Sequence, residues 1–180
     1  RDDTIYIKLD DDIVWMTPGS IAKMVQARKE NPDPLLIVGN TVNNSFCNFK
    51  HQQLGTYDSR WRLEGPYDYQ NTDNYDGHFA EFAHETLIRH IRNRTVEQSY
   101  TFPDCYSHNA RLPNHVYAAY GSDITWEEDD EATPTGVLAT KERPVMVIGS
   151  PLFAHYSYGD QWPYMDKHTD VLKRYRELTP

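Results

Sequence analysis

Thr4 to Met16 reads T-I-Y-I-K-L-D-D-D-I-V-W-M, and the fold turns on this stretch. Ile5, Ile7 and Leu9 alternate with Tyr6 and Lys8, the period-two pattern of a strand with one buried face. The apolar run stops at Asp10-Asp11-Asp12 and resumes at Ile13, Val14 and Trp15. A strand that ends in carboxylates and reopens into apolar residues sets those carboxylates at the edge of a sheet, where open α/β sheets bind ligands. Asp10 and Asp12 are two positions apart and would share a face of an extended backbone. Two such oxygen ligands suit a hard divalent cation, Mn²⁺ or Mg²⁺, whose remaining shell is phosphate oxygen and water. A solvated turn is the plainer reading of the triplet. Packing Ile5, Ile7, Ile13 and Val14 around three carboxylates costs repulsion, however, unless a cation offsets it.

The 180 residues suit one domain, and 38% hydrophobic with 13% aromatic residues marks a globular chain. Net charge is −9, from 27 acidic and 18 basic residues, with no basic stripe to follow phosphates, which argues against nucleic acid as a partner. Thirteen Tyr and 4 Trp can cover sugar faces, and equally fill a core. No apolar run is long enough to span a membrane. Cys47 and Cys105 could pair if the fold brings them together. Asn43-Asn44-Ser45 and Asn93-Arg94-Thr95 are glycosylation sequons, which point weakly to a secretory lumen and leave a cytoplasmic location open. The chain opens almost directly on a core strand with no signal peptide, as a fragment or a processed polypeptide would.

Beyond the first strand, helical and extended patterns alternate. Thr17-Pro18 opens a helix carrying Ile21, Met24 and Val25, which Asn31-Pro32-Asp33-Pro34 stops. Leu35 to Gly39 is a short continuous apolar run, as in a buried strand. Asn40 to Asn48 carries four asparagines and reads either as a loop held by Asx turns or as a polar wall for a sugar or nucleotide. Residues 55 to 79 hold aromatics without periodicity, as in an active-site loop or a pinned surface loop. His78 to Arg94 is the strongest helix, with Phe79, Phe82, Ala83, Leu87, Ile88 and Ile91 on one face. A strand follows over 113–120, then Gly121-Ser122-Asp123, an acidic run at 127–131, a strand at Val145 to Ile148, and a last amphipathic helix near Asp166 to Leu178. His155 lies just past a strand among aromatics; joined to two aspartates it would complete a mixed N/O site suited to Mn²⁺.

The Asp triplet after an alternating strand resembles the D-x-D motif of GT-A-fold glycosyltransferases. I-V-G-N-T-V-N-N, H-Q-Q-L-G, A-Y-G-S-D-I, the acidic run, R-P-V-M-V-I-G, A-H-Y-S-Y-G-D-Q and T-D-V-L-K-R-Y-R-E-L together resemble a group of fungal glycosyltransferase-like proteins related to family two, from Tyr6 to Leu178. The resemblance implies an α/β fold with a GT-A-like (Rossmann-like) mixed sheet flanked by helices. It covers the portion after the nucleotide-base-binding strands, so it implies a missing N-terminal segment of the same polypeptide as a partner. It further implies a divalent cation at Asp10, Asp12 and His155, bridging the diphosphate of a UDP- or GDP-sugar donor. Asp11 would contact the ribose or sugar. Glu85, in A-H-E-T-L, would be the base of an inverting reaction, although the family's acidic pair reads His84-Glu85 here, and Asp123 is its rival.

That chemistry is coherent: the cation stabilises charge growing on the leaving diphosphate, and a carboxylate on the opposite face takes the proton of a glycan, protein or small-molecule acceptor. The alternative is a carbohydrate- or partner-binding module on the same fold without turnover. A metal-dependent phosphate-ester hydrolase ranks last, because the eight histidines show no H-x-H or H-E-x-x-H spacing.

Overall fold

The computed structural model describes residues 2–58, 61, 76–107, 115–124 and 143–178. The predicted loop between positions 55 and 79 lies mostly outside these residues, and the acidic run at 127–131 wholly so. The alternating stretch forms β1 (Ile5–Leu9), and the apolar residues after the aspartates form β2 (Ile13–Met16). Then follow α1 (Ser20–Glu30), β3 (Leu36–Val42), α2 (Ser45–Gln53), α3 (Gly77–Asn93), α4 (Val96–Tyr100), β4 (Cys105–Ser107) and β5 (Val116–Tyr120). The long β6 (Val145–His155), α5 (Trp162–His168) and α6 (Val171–Leu178) complete the described chain.

The strands form one mixed sheet in the order β1-β5-β3-β6-β2, with β4 also paired to β6. β3 and β6 run parallel and the other pairings are antiparallel. This is an α/β architecture, a mixed sheet flanked by helices. On one face Met24 of α1 packs with Ile37, Val116, Ala118 and Phe153, and Ile5 and Ile7 close the edge of that cluster. On the other, Phe79, Ala83 and Leu87 of α3 pack against Val42, Leu152 and Ala154, and Phe46 of α2 against Leu36 and Val38. The continuous apolar run is thus a central strand buried on both faces.

Several boundaries differ from the sequence expectation. α1 begins at Ser20, behind a left-handed Gly19, and Ser20 Oγ donates to the Thr17 carbonyl at 2.6 Å. β3 runs on through Asn40 and Thr41, and the asparagine-rich stretch then turns into α2, capped by Asn44, which accepts from Cys47 N–H. The last helix is two, α5 and α6, separated at Thr169 and Asp170.

The register of β3 against β6 jumps from Gly39–Ile148 to Asn40–Leu152, so Gly149, Ser150 and Pro151 bulge from the ladder. The bulge receives the buried Asn40 side chain. Asn40 Nδ2 donates to the carbonyls of Gly149 and Tyr100, both at 2.9 Å, while its oxygen meets His51 Nε2 at 2.7 Å. Because Asn40 spends its amide hydrogens on those carbonyls, His51 must be the donor. Burial depresses the His51 pKa to about 3, so the ring stays neutral.

Candidate functional site

β1 and β2 lie at opposite edges of the sheet, and Asp10–Asp12 joins one to the other along the chain. The link is a tight turn closed by Ile13 N–H to the Asp10 carbonyl at 3.3 Å. It is not the extended segment expected from the sequence. The two outer aspartates therefore part company, each meeting its own histidine. Asp10 Oδ2 lies 2.9 Å from His115 Nδ1, and Asp12 Oδ2 lies 3.0 Å from His155 Nε2. Asp11 is exposed at the crest of the turn.

The topology explains the convergence. β1, β3 and β6 all end at this rim of the sheet, and β5 and β2 begin there. Leu9 is opposite Val116 and Ile13 opposite His155, so His115 and Asp10 are neighbours by register, as are His155 and Asp12. Main-chain bonds lock both ends: Asp10 N–H donates to the His115 carbonyl and Tyr156 N–H to the Asp12 carbonyl, each at 3.0 Å.

The imidazoles of His115 and His155 stack, with centroids 3.8 Å apart and planes at 18°. Both are buried, whereas the two carboxylates are partly open to solvent. His115 Nδ1 donates to Asp10, so Nε2 accepts from the Tyr158 hydroxyl at 3.0 Å, and Asn44 Nδ2 donates to the same hydroxyl at 3.2 Å. Burial, aided by repulsion from His155, holds His115 down near a pKa of about 4. Burial pushes the Asp10 carboxyl upward, but hydrogen bonds from His115 and Lys8 outweigh it and leave Asp10 below its ordinary value. The Lys8 ammonium pairs with the other Asp10 oxygen. His155 Nδ1 is buried without a hydrogen-bond partner among the described residues.

This donor set fits a divalent cation. Asp10, His115 and His155 each present a ligand atom within 4.8 Å of the others, and Asp12 touches the same cluster. Partly solvated carboxylates beside buried imidazoles form the mixed N/O environment that such ions take. The unpartnered Nδ1 of His155 has a lone pair or proton with no other use among the described residues, which is compatible with an ion there. His115 was missed in the sequence because nothing in its spacing marks it; only the antiparallel register of β1 and β5 carries it to Asp10.

The other sequence candidates sit elsewhere. Asp123 lies past the opposite end of β5, buried and paired with Arg143 at 2.6 Å. Arg143 also donates to the carbonyls of Asp33 at 2.8 Å and Pro34 at 2.7 Å, so the pair fastens the α1–β3 connection. Glu85, on α3, is ion-paired with Arg174 of α6. Its neighbour His84 comes nearer the rim: Nε2 donates to the Tyr156 carbonyl at 2.8 Å and Nδ1 meets the Tyr175 hydroxyl at 2.9 Å.

The asparagines of the 40–48 stretch are mostly structural. Asn43 is fully buried, its amide donating to the Tyr156 carbonyl at 3.2 Å and to Gln161 Oε1 at 2.8 Å. Asn44 alone reaches the histidine cluster, through Tyr158. Cys47 and Cys105 are free thiols, and burial lifts Cys47 to a pKa of about 12. No helix among the described residues is long and apolar enough to cross a membrane. No protein-family model, curated protein or solved structure matches the chain.

Proposed function

We propose that this chain is a metal-dependent glycosyltransferase on a GT-A-like fold, moving a sugar from a nucleotide-sugar donor to an acceptor, with inversion. One observation carries the reading: Asp12 of the Asp triplet and His155 at the end of β6, far apart in sequence, touch at 3.0 Å on the rim of a mixed α/β sheet. Asp10, Asp12 and His155 would hold Mn²⁺ or Mg²⁺, and Asp11, exposed at the crest of the turn, would meet the sugar or ribose. When bound, the cation would offset charge developing on the departing diphosphate.

The chain's own residues supply the rest. The buried His115, held neutral by its surroundings, adds no positive charge to compete with the ion. The rim leaves the carboxylates partly open, so a diphosphate can approach from solvent. Glu85 is one residue from His84, whose ring touches the main chain next to His155; to take an acceptor proton Glu85 would have to release Arg174.

Hydrolysis of UDP- and GDP-sugars with Mn²⁺, compared between the protein and its Asp12→Ala variant, tests the reading. Turnover in the first and its loss in the second is expected; equal rates would sink it. A non-catalytic carbohydrate- or partner-binding module is the second reading. The Lys8 ammonium favours it, because it already neutralises one Asp10 oxygen. In that case sugar binding is indifferent to a chelator and no turnover occurs.

A further inference from the structure

Asp10, His115 and His155 are close enough to be taken as three ligands of one ion, yet the two rings cannot serve alike. An imidazole nitrogen offers its lone pair in the plane of the ring, to an ion about 2.1 Å away. Rings stacked 3.8 Å apart with planes at 18° share no such point, since the planes meet only on the order of 10 Å away, several times a metal–nitrogen bond. One ring would have to turn to join the other on an ion.

His115 is the ring that is pinned. Both of its nitrogens are engaged, Nδ1 by Asp10 at 2.9 Å and Nε2 by the Tyr158 hydroxyl at 3.0 Å, and Asn44 steadies that hydroxyl. Turning the ring breaks both bonds inside a buried setting, where unmade hydrogen bonds are costly. His155 differs. Asp12 holds only its Nε2, and its buried Nδ1 has no partner among the described residues. Either nitrogen can meet an ion at little cost: an ion at Nε2 takes the place of the proton shared with Asp12 and is held by both groups, and an ion at Nδ1 breaks no bond.

We propose that His115 is a positioning residue, not a ligand: it stacks on His155 to hold that ring's plane and hydrogen-bonds Asp10 to aim its carboxylate, so that a bound divalent cation takes one imidazole, from His155. The proposal rests on the cation reading given above and assigns the division of labour within it.

Pulsed electron paramagnetic resonance on the Mn²⁺-loaded protein counts the ligand nitrogens. One imidazole coupling is expected in the unaltered protein. It persists in His115→Ala, where Mn²⁺ affinity falls about tenfold or more, as losses of orienting partners do, and it disappears in His155→Ala. Two imidazole couplings overturn the proposal, as do a coupling that survives in His155→Ala, unchanged affinity in His115→Ala, or failure to bind Mn²⁺ at all. If His115→Ala does not fold, the count in the unaltered protein decides. Two couplings with sugar-nucleotide hydrolysis intact remove the proposal and leave the transferase reading; one coupling without that hydrolysis does the reverse.

Discussion

Asp12 Oδ2 and His155 Nε2 lie 3.0 Å apart, joining the turn that leaves the first strand to the last residue of the longest one. The contact depends on register, since Ile13 is opposite His155 across the β2–β6 pairing. A ligand that binds only this assembled rim stabilises the folded state by mass action. With Mn²⁺ at a hundred times its dissociation constant, the gain should be about 2.7 kcal/mol. Thermal melts with Mn²⁺ and with a chelator will read it, and Asp12→Ala should remove the difference.

Gly149 sits in the β6 bulge, where an added Cβ would stand 1.7 Å from the carbonyl oxygen of Phe102. The obstacle is backbone and cannot swing aside, so Gly149→Ala should destabilise by about 3 kcal/mol. Urea titration measures this. A loss below a few tenths of a kcal/mol would mean the bulge is not packed as described.

Asp123 and Arg143 fasten the far end of β5, and Asp123→Asn leaves Arg143 without its carboxylate. Arg143 is partly solvated, which moderates the penalty to about 2 kcal/mol. The affinity for Mn²⁺ should stay within about twofold, because the opposite rim keeps its contacts. Calorimetry on the variant separates the two effects; a collapse of Mn²⁺ affinity without loss of stability would contradict this placement.

Acid should unfold the metal-free protein from below neutrality. Exposed imidazoles titrate near pH 6.5, whereas burial holds His51 near 3 and His84 near 4 in the folded state. Between those values the unfolded chain binds more protons, so stability present above pH 6.5 is lost as the pH drops toward 4. From pH 7 to pH 5 the loss should be on the order of 2–4 kcal/mol, read as a falling urea midpoint. A midpoint that does not move over that range would show the rings to be accessible to protons.

Of the two sequons, only Asn93 is exposed. Asn43 is wholly buried, with its amide bound to Tyr156 and Gln161. Folded protein recovered from a eukaryotic secretory route should carry glycan at Asn93 alone, which peptide mass spectrometry will show.

The frame of this fold was legible because hydrophobic periodicity is local. Ile5 and Ile7 alternate, Leu35 to Gly39 is unbroken, and α3 repeats every three to four residues, so each could be read without its partners. What escaped was decided across the chain. β4 is three residues long and exists only by pairing with β6. Asn40 looks like a loop residue until the bulge it fills is in place. Arg28 lies in the last turn of α1, where a solvated cation is the ordinary occupant, yet it is buried, stacked 4.6 Å from the Tyr120 ring and donating at 2.6 Å to the carbonyls of both Pro32 and Pro34. At the candidate site, Asp10, Asp12 and His155 could be picked out by residue type. His115 could not, because a histidine ahead of a strand has no signature until β5 is laid against β1.

The Asp10–Asp12 turn also has a mechanical meaning. Outermost strands usually fray one at a time, each on its own side of a sheet. Here three residues tether the two flanks to each other like a buckle, so neither margin can peel away without dragging the other. Amide hydrogens of β1 and β2 should therefore exchange with solvent in a single concerted opening.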